Sequence, residues 1–353
     1  MLTELFLRDF RCFTECRLEP HPGLTLLVGR NAQGKTSLLE AACVLLRLQS
    51  PRTSARGDLI RLGASTCLVE GVLGGLRLRC AQNTTARRLA VDGAVCGRSG
   101  DYLEQSGRVV WMDHRDMNLL RGGGEHRRRF LDFAASQLYP DYLKALRGYE
   151  RALRGRNHVL KKDAVISWRQ ADAFARVMAG FAGTLVERRA QLVAALRPQL
   201  AGAHAALSGG AESAEVEYAP GFDSGDLAAG LAALRAEEQR QRVTLAGPHR
   251  DDLRLTINNL DATTYASEGQ QRSMAVALKV AQARALESGF GKAPLLLVDD
   301  VFGELDTHRR RALLALLPAG TQKIITTTSL DWADADGLAG RVCRIEGARI
   351  AEG

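Results

Sequence analysis

LTLLVGRNAQGKTSLLEAACVLL, residues 24–46, is the stretch on which the fold turns. Leu24 to Val28 is a short apolar run with β-branched Thr25 and Val28, bounded by Gly29, and reads as a buried strand. Ser37 to Leu48 reads as a helix with densely packed apolar residues. Between them, GRNAQGKT at 29–36 fits G-x-x-x-x-G-K-[ST] in the strand-to-helix context that the pattern requires. Glycines there let backbone N–H groups turn toward phosphate oxygens, and the helix start adds partial positive charge. Lys35 is then expected to reach β and γ phosphates and Thr36 to offer a hydroxyl to Mg2+. The expected nucleotide-binding set is Gly29, Arg30, Asn31, Gly34, Lys35, Thr36 and Ser37. A glycine turn before an ordinary helix is the plainer alternative.

APLLLVDDVFGELD, residues 293–306, is a second apolar run, ending in two carboxylates where a parallel strand leaves the ligand-binding edge of a sheet. An apolar strand ending in Asp-Asp says little alone. Beside a phosphate loop it gains meaning, because Mg2+ needs an oxygen ligand opposite Thr36. Asp299 is expected to serve the metal and Asp300 to orient or deprotonate the attacking water.

The rest of the chain sorts by periodicity. Leu2 to Val28 is strand-like with a polar bend at Pro20 to Gly23. Residues 67–96 alternate strand-like runs with Gly74-Gly75 and Asp92-Gly93, a hairpin signal that predicts an antiparallel patch. From Arg127 to Gln241 the period lengthens to that of helices. One face carries Leu138, Tyr142, Leu146, Tyr149 and Leu153; another carries Phe174, Met178, Phe181, Leu185, Leu192 and Leu196. Ser208 to Gly225 reads as a loop, helical spacing resumes at Leu227, and strand character returns at Leu253, Leu255 and Ile257. The organisation predicted is an α/β head at 1–126 and 242–353 with a helical lobe inserted at 127–241.

At 353 residues, one large domain with an insertion, or two lobes, is the prior, and 46% hydrophobic content is enough for real cores. Lys and Arg outnumber Asp and Glu by 48 to 40, a net charge of +8 that favours an acidic partner such as nucleic acid or a membrane surface. No run approaches the ~20 apolar residues of a membrane span. Seven cysteines, without a CxxC pair or a His cluster at zinc spacing, predict a reduced, cytoplasmic chain with buried thiols.

SEGQQ at 267–271 precedes the helical run MAVALKVAQARALES and resembles the LSGGQ signature of ABC ATPases, with Glu268 in place of that motif's first glycine; ELD at 304–306 resembles the D-loop. In that family the signature Ser and Gly meet the γ phosphate of ATP held by a second subunit, which here implies Ser267, Gly269 and Gln270. A Ser capping a helix is the competing reading. Between Lys35 and Asp299 lie 263 residues, more than a compact transporter ATPase needs and fewer than the arms of SMC proteins require. FRCF, GRNAQGKTSLLEA, RRRFLD at 127–132, AGPHRDDL at 246–253, SEGQQRS, LLLVDDVFGELD and ITTTSL at 325–330 together resemble the RecF family of bacterial recombination-mediator ATPases. The match is firm across the head and rests on position and character across the lobe.

The resemblance implies an ABC-ATPase head, a mixed P-loop sheet with an antiparallel β subdomain, plus the helical lobe. It also implies ATP and Mg2+ as cofactors and weak ATP hydrolysis as a timer. An ATP-dependent homodimer, duplex DNA at single-strand gaps, RecR and RecO, and indirectly RecA, are the implied partners. It places Thr327, or a neighbour in ITTTSL, where the γ phosphate is sensed, alongside Lys35, Ser267 and Asp300 as catalytic residues. His249, Arg250 and Asp251 suit a dimer or nucleotide contact and equally a turn. Arg52, Arg56, Arg61, Arg121, Arg127 to Arg129 and Lys161-Lys162 are candidate phosphate contacts, each also readable as a solvated face. An SMC-like DNA tether or an ATP-gated nuclease subunit is the alternative function.

Overall fold

A computed structural model describes residues 1–162, 165–222, 225–302, 305–335, 338 and 340–351. Along the chain run β1 (Leu2–Phe10), β2 (Phe13–Leu18), β3 (Leu24–Val28), α1 (Lys35–Arg47), β4 (Cys67–Leu73), β5 (Leu76–Gln82), β6 (Arg87–Val91), β7 (Ala94–Val95), α2 (Ser99–Gln105) and β8 (Val109–Asp113). There follow α3 (Asn118–Arg121), α4 (Gly124–Leu138), α5 (Tyr142–Lys162), α6 (Trp168–Leu207), β9 (Ala214–Ala219), α7 (Leu227–Ala233), α8 (Arg235–Gln241), β10 (Asp252–Ile257), β11 (Leu260–Asp261) and α9 (Ala262–Tyr265). The chain continues through α10 (Glu268–Phe290), β12 (Leu295–Asp299), α11 (Thr307–Leu316), β13 (Lys323–Thr327), α12 (Asp331–Ala335), β14 (Arg341–Glu346) and β15 (Arg349–Ala351).

Two compact units result, Met1–Asp116 with Gln282–Gly353, and Met117–Ala281. The first holds two six-stranded sheets, ordered β2-β1-β4-β5-β6-β7, all antiparallel, and β15-β14-β3-β13-β12-β8, parallel except at the β15 edge. Helix α1 packs on β1, β4 and β5 of one sheet and on β13, β12 and β8 of the other. That is why LLEAACVLL is apolar all round rather than along one stripe. The turns at Gly74-Gly75 and Asp92-Gly93 have positive φ at both residues, as two-residue hairpins demand.

In the second unit α5 and α6 form an antiparallel pair. Their approach is set by Gly148 and Gly155: a Cβ at either would lie 2.5 Å from a ring carbon of Phe181 or Phe174. The sheet β11-β10-β9 completes this unit. Two expectations need correcting here. Ser208 to Gly225 is not all loop, since Ala214–Ala219 forms β9, with Ala214 and Val216 buried and Glu215 and Glu217 exposed in strand alternation. The strand at 253–257 pairs with β9, so it belongs with the helices, and the units divide at 116/117 and 281/282 rather than at 126/127 and 241/242.

Candidate nucleotide-binding site

Within the first unit, β3 ends at Val28 and the loop 29–34 turns into α1. Gly34 adopts φ +104°, and a Cβ there would come within 2.8 Å of the Phe13 ring, so glycine is required twice over. A Cβ on Gly29 would meet the Ile345 carbonyl oxygen at 2.3 Å. Lys35 Nζ donates to the carbonyls of Gly29 (2.5 Å) and Arg30 (3.0 Å), which curls the loop around the ammonium. Burial lowers the Lys35 pKa from the ordinary lysine range, opposed by the carboxylates of Asp300 and Asp299.

Strands β12 and β13 bring the acidic pair to this loop. Thr36 Oγ1 donates to Asp299 Oδ1 at 2.8 Å, and Thr326 Oγ1 donates to the same oxygen at 2.8 Å. Thr326 also accepts from the Asp300 backbone N–H at 2.9 Å, and Asp300 sits at φ +56°, an uncommon conformation for aspartate. The parallel register Asp299↔Thr326 makes this triangle possible. Thr327, expected with its neighbours in ITTTSL near the γ phosphate, is buried, donates to the Ser329 carbonyl at 2.7 Å and accepts from Trp332 Nε1 at 3.0 Å. Thr326, its neighbour, is the threonine that reaches the Asp299 carboxylate and the Asp300 N–H.

Gly34, Lys35, Thr36, Asp299, Asp300 and Thr326 line a cleft of about 680 Å3 together with Asn31, Ala32, Gln33, Ser37, Arg11, Arg52 and His114, whereas Gly29, Arg30 and Thr327 are not in its lining. Arg30 lends its carbonyl to Lys35 and its side chain is exposed. Sequence reading missed Arg11 and His114. Arg11 clasps Glu40, buried in α1, through two contacts of 2.8 and 2.6 Å, and Arg52 and Ser50 hold the same carboxylate. The FRCF segment therefore contributes an arginine to the cleft edge, a role that no motif marks. Thr36 and Asp299 present hard oxygen donors converging within hydrogen-bond distance, a set that suits Mg2+.

The second unit carries SEGQQ at the start of α10. The Ser267 N–H donates to Gln270 Oε1 (2.8 Å) and Ser267 Oγ accepts from the Gln270 N–H (3.3 Å), a reciprocal capping box. Ser267 remains exposed, and Gly269 and Gln270 are half-buried. Of ELD, Glu304 lies outside the described residues, while Asp306 caps α11 by accepting from the Arg309 N–H at 2.8 Å.

RRRFLD and GPHRDDL interlock in this unit. Arg127 makes a two-pronged contact with Asp252 and donates to the Leu119 and Gly122 carbonyls, and Arg128 donates to the Asp251 carbonyl. Fully buried Asp251 accepts from Arg189 (2.6 Å), from the Gly221 N–H (2.7 Å) and from Tyr218. Arg127 and Arg128 are internal ties, which argues for the structural reading of both segments. Of the other candidate phosphate contacts, Arg61 pairs with Asp9, Arg56 donates to the Thr85 carbonyl, and Arg121 pairs with Glu268 and Gln271. Arg129, Lys161 and Lys162 are exposed. No described helix is long and apolar enough to cross a membrane.

A family model for an AAA domain matches residues 4–79. The DNA replication and repair protein RecF of Synechococcus sp. (strain JA-2-3B'a(2-13)) is 37% identical over 99% of this chain and 97% of its own length. That of Anaeromyxobacter dehalogenans (strain 2CP-C) is 39% identical over 93% of this chain and 92% of its own. Among solved structures, the recombination mediator protein RecF-ATPrS in the RecFOR pathway superposes with a TM-score of 0.88 at 26% identity, covering 99% of this chain and 97% of that one. An Smc head bound to the C-winged helix domain of ScpA shares the fold, at TM-score 0.57 and 16% identity. The architecture is that of an ABC-ATPase head carrying a helical lobe.

Proposed function

Because the chain belongs to the RecF family of DNA replication and repair proteins, we propose that it is an ATP-dependent recombination mediator whose two half-sites meet only between copies. The loop at Gly29–Thr36 of one copy and Ser267, Gly269 and Gln270 of another sandwich ATP. The closed dimer holds duplex DNA beside a single-strand gap, slow hydrolysis releases it, and RecO and RecR help RecA to load. The observation that carries this reading is the convergence of Lys35, Thr36, Asp299 and Asp300 on one cleft, in a chain of this family.

The residues divide the work. Lys35 neutralises phosphate oxygens and the loop's N–H groups orient them. Thr36 and Asp299 are the residues that would hold Mg2+, which when bound supplies Lewis-acid charge to those oxygens. Asp300, held at a fixed angle by the Thr326 hydroxyl on its N–H, positions the attacking water. A hydroxyl near the γ phosphate can donate a hydrogen bond but is no acid near neutral pH, which accords with a slow timer.

Sedimentation velocity with and without Mg2+ and ATP tests the sandwich. The unaltered chain is expected to dimerise with ATP, Lys35→Met to lose nucleotide binding, and Ser267→Arg to bind ATP yet stay monomeric. Asp300→Asn should accumulate the dimer. Normal dimerisation of Ser267→Arg would overturn the composite site.

A further inference from the structure

The signature segment is held by three residues of its own unit that no motif includes. Gln270, whose Oε1 accepts from the Ser267 N–H, donates its amide Nε2 to Glu212 Oε1 at 2.8 Å. Glu212's other oxygen, Oε2, meets Nε2 of His204 at 2.8 Å. His204 lies in the last turn of α6 and is fully buried, and its Nδ1 has no hydrogen-bond partner. Because a carboxylate only accepts, Nε2 is the ring nitrogen that donates in this contact.

Glu212 is fixed on both flanks. Upstream, α6 closes with Ser208 N–H on the His204 carbonyl and Gly210 N–H on the Ala205 carbonyl, Gly209 and Gly210 both taking positive φ. Downstream, at the entry to β9, the Ser213 N–H donates to Asn258 Oδ1 and the Ser213 carbonyl accepts from the Asn258 N–H, both at 2.9 Å. On the next residue of the signature, Gln271 Oε1 accepts from Arg121 Nε at 2.8 Å, and Arg121 also pairs with Glu268 at 3.5 Å. Gln271 Nε2 in turn holds the Ala266 carbonyl, just before Ser267.

We infer that Glu212, braced by His204, and Arg121 are positioning residues for the signature half-site: they clamp the Gln270 and Gln271 amides and thereby set where Ser267 presents its hydroxyl and N–H to a nucleotide held by another copy. Neither touches nucleotide. Two acceptors and two donors of fixed polarity bracket Ser267, so the loop cannot rotate without breaking a hydrogen bond to a charged group. The end of the α6 helix thus reports its position to the signature through one carboxylate.

This rests on the ATP-sandwich reading, and the test separates the two. Glu212→Gln, Gln270→Glu and their combination are compared by ATP-dependent sedimentation, with nucleotide affinity measured by a fluorescent ATP analogue and folding by thermal melts. In Gln270→Glu two carboxylates face each other, and dimerisation is expected to weaken at least about tenfold. Glu212→Gln added to it restores a donor–acceptor pair with the polarity reversed and should recover most of the loss, which a purely structural role would not show. Arg121→Ala should likewise weaken dimerisation with ATP affinity retained. If the unaltered chain dimerises and Ser267→Arg does not, yet Gln270→Glu and Arg121→Ala dimerise normally or the double variant fails to recover, the positioning inference falls and the sandwich stands. If the unaltered chain itself ignores ATP, the sandwich falls first.

Discussion

Thr326 and Thr327 are neighbours on β13 with opposite tasks, because successive strand residues face opposite sides of the sheet. Thr326 bonds both the Asp299 carboxylate and the Asp300 N–H, whereas Thr327 is consumed by Trp332 and the Ser329 carbonyl. Thr326→Val should therefore cut ATP turnover at least about tenfold, the scale of a lost hydrogen bond to a charged group, with nucleotide affinity changed much less. Thr327→Val should leave turnover near normal and lower stability by about 1 kcal/mol. Steady-state ATPase assays and melts on both variants decide it; equal kinetic defects would dissolve the distinction. ITTTSL announces a switch strand but not its register. Which threonine faces Asp299 depends on pairing across β12 and β13, a contact between distant segments that one-dimensional periodicity does not encode. The phosphate loop was legible for the opposite reason, since its glycines, lysine and threonine act within eight consecutive residues.

At the scale of elements, the buried stripe of α5 is Tyr142, Ala145, Tyr149, Ala152, Arg156 and Leu160: the two tyrosines of the expected face are in it, whereas Leu146 and Leu153 are only half-buried and alanines and an arginine take their place. The small residues admit α6, and Arg156 is tolerated because Glu238, Thr244 and two short contacts of 2.8 and 2.6 Å to that glutamate meet its guanidinium. Tyr149 donates to His249 Nδ1 at 2.7 Å, while His249 Nε2 donates to the Thr244 carbonyl at 3.0 Å, so the imidazole is held neutral. Burial pushes its pKa down to about 4 from 6.5. The folded chain thus refuses a proton that the unfolded chain accepts, and stability contributed by neutral His249 is full above pH 6.5 and drains as pH falls toward 4. The slope from this one group is at most about 1.4 kcal/mol per pH unit. Melts from pH 7.5 to 4.5 should show the unaltered chain losing stability faster than His249→Gln; parallel curves would remove His249 from the account. GPHRDDL stood out as a pattern, yet its sequence could not separate a ligand contact from an internal joint, and β9 was hidden because AEVEYA alternates small apolar with acidic residues inside a polar stretch.

For the whole molecule, a net charge of +8 counts every arginine alike, whereas the fold sorts them. Arg127, Arg156 and Arg189 are buried and spent on Asp252, Glu238, Asp132 and Asp251, so they add nothing to an external field. On the outward face of α5, by contrast, Lys144, Arg147, Arg151, Arg154, Lys161 and Lys162 are exposed at helical spacing, with Glu150 alone among them. Such a stripe runs about 27 Å at 1.5 Å per residue, long enough to follow several phosphates of a duplex. We propose this helix, rather than the arginines of RRRFLD, as the surface that would hold DNA in the proposed function. Binding to gapped duplex, blunt duplex and single-stranded DNA with ATP should weaken linearly on a log–log salt plot, by about 0.9 in slope for each phosphate contacted on duplex and about 0.7 on single strand. Replacing Arg147, Arg151, Lys161 and Lys162 by Ala should flatten that slope by up to about 3.6 while ATP-dependent dimerisation persists. An unchanged slope would move the DNA surface elsewhere, and equal affinity for all three DNAs would leave the clamp without a preference for gaps.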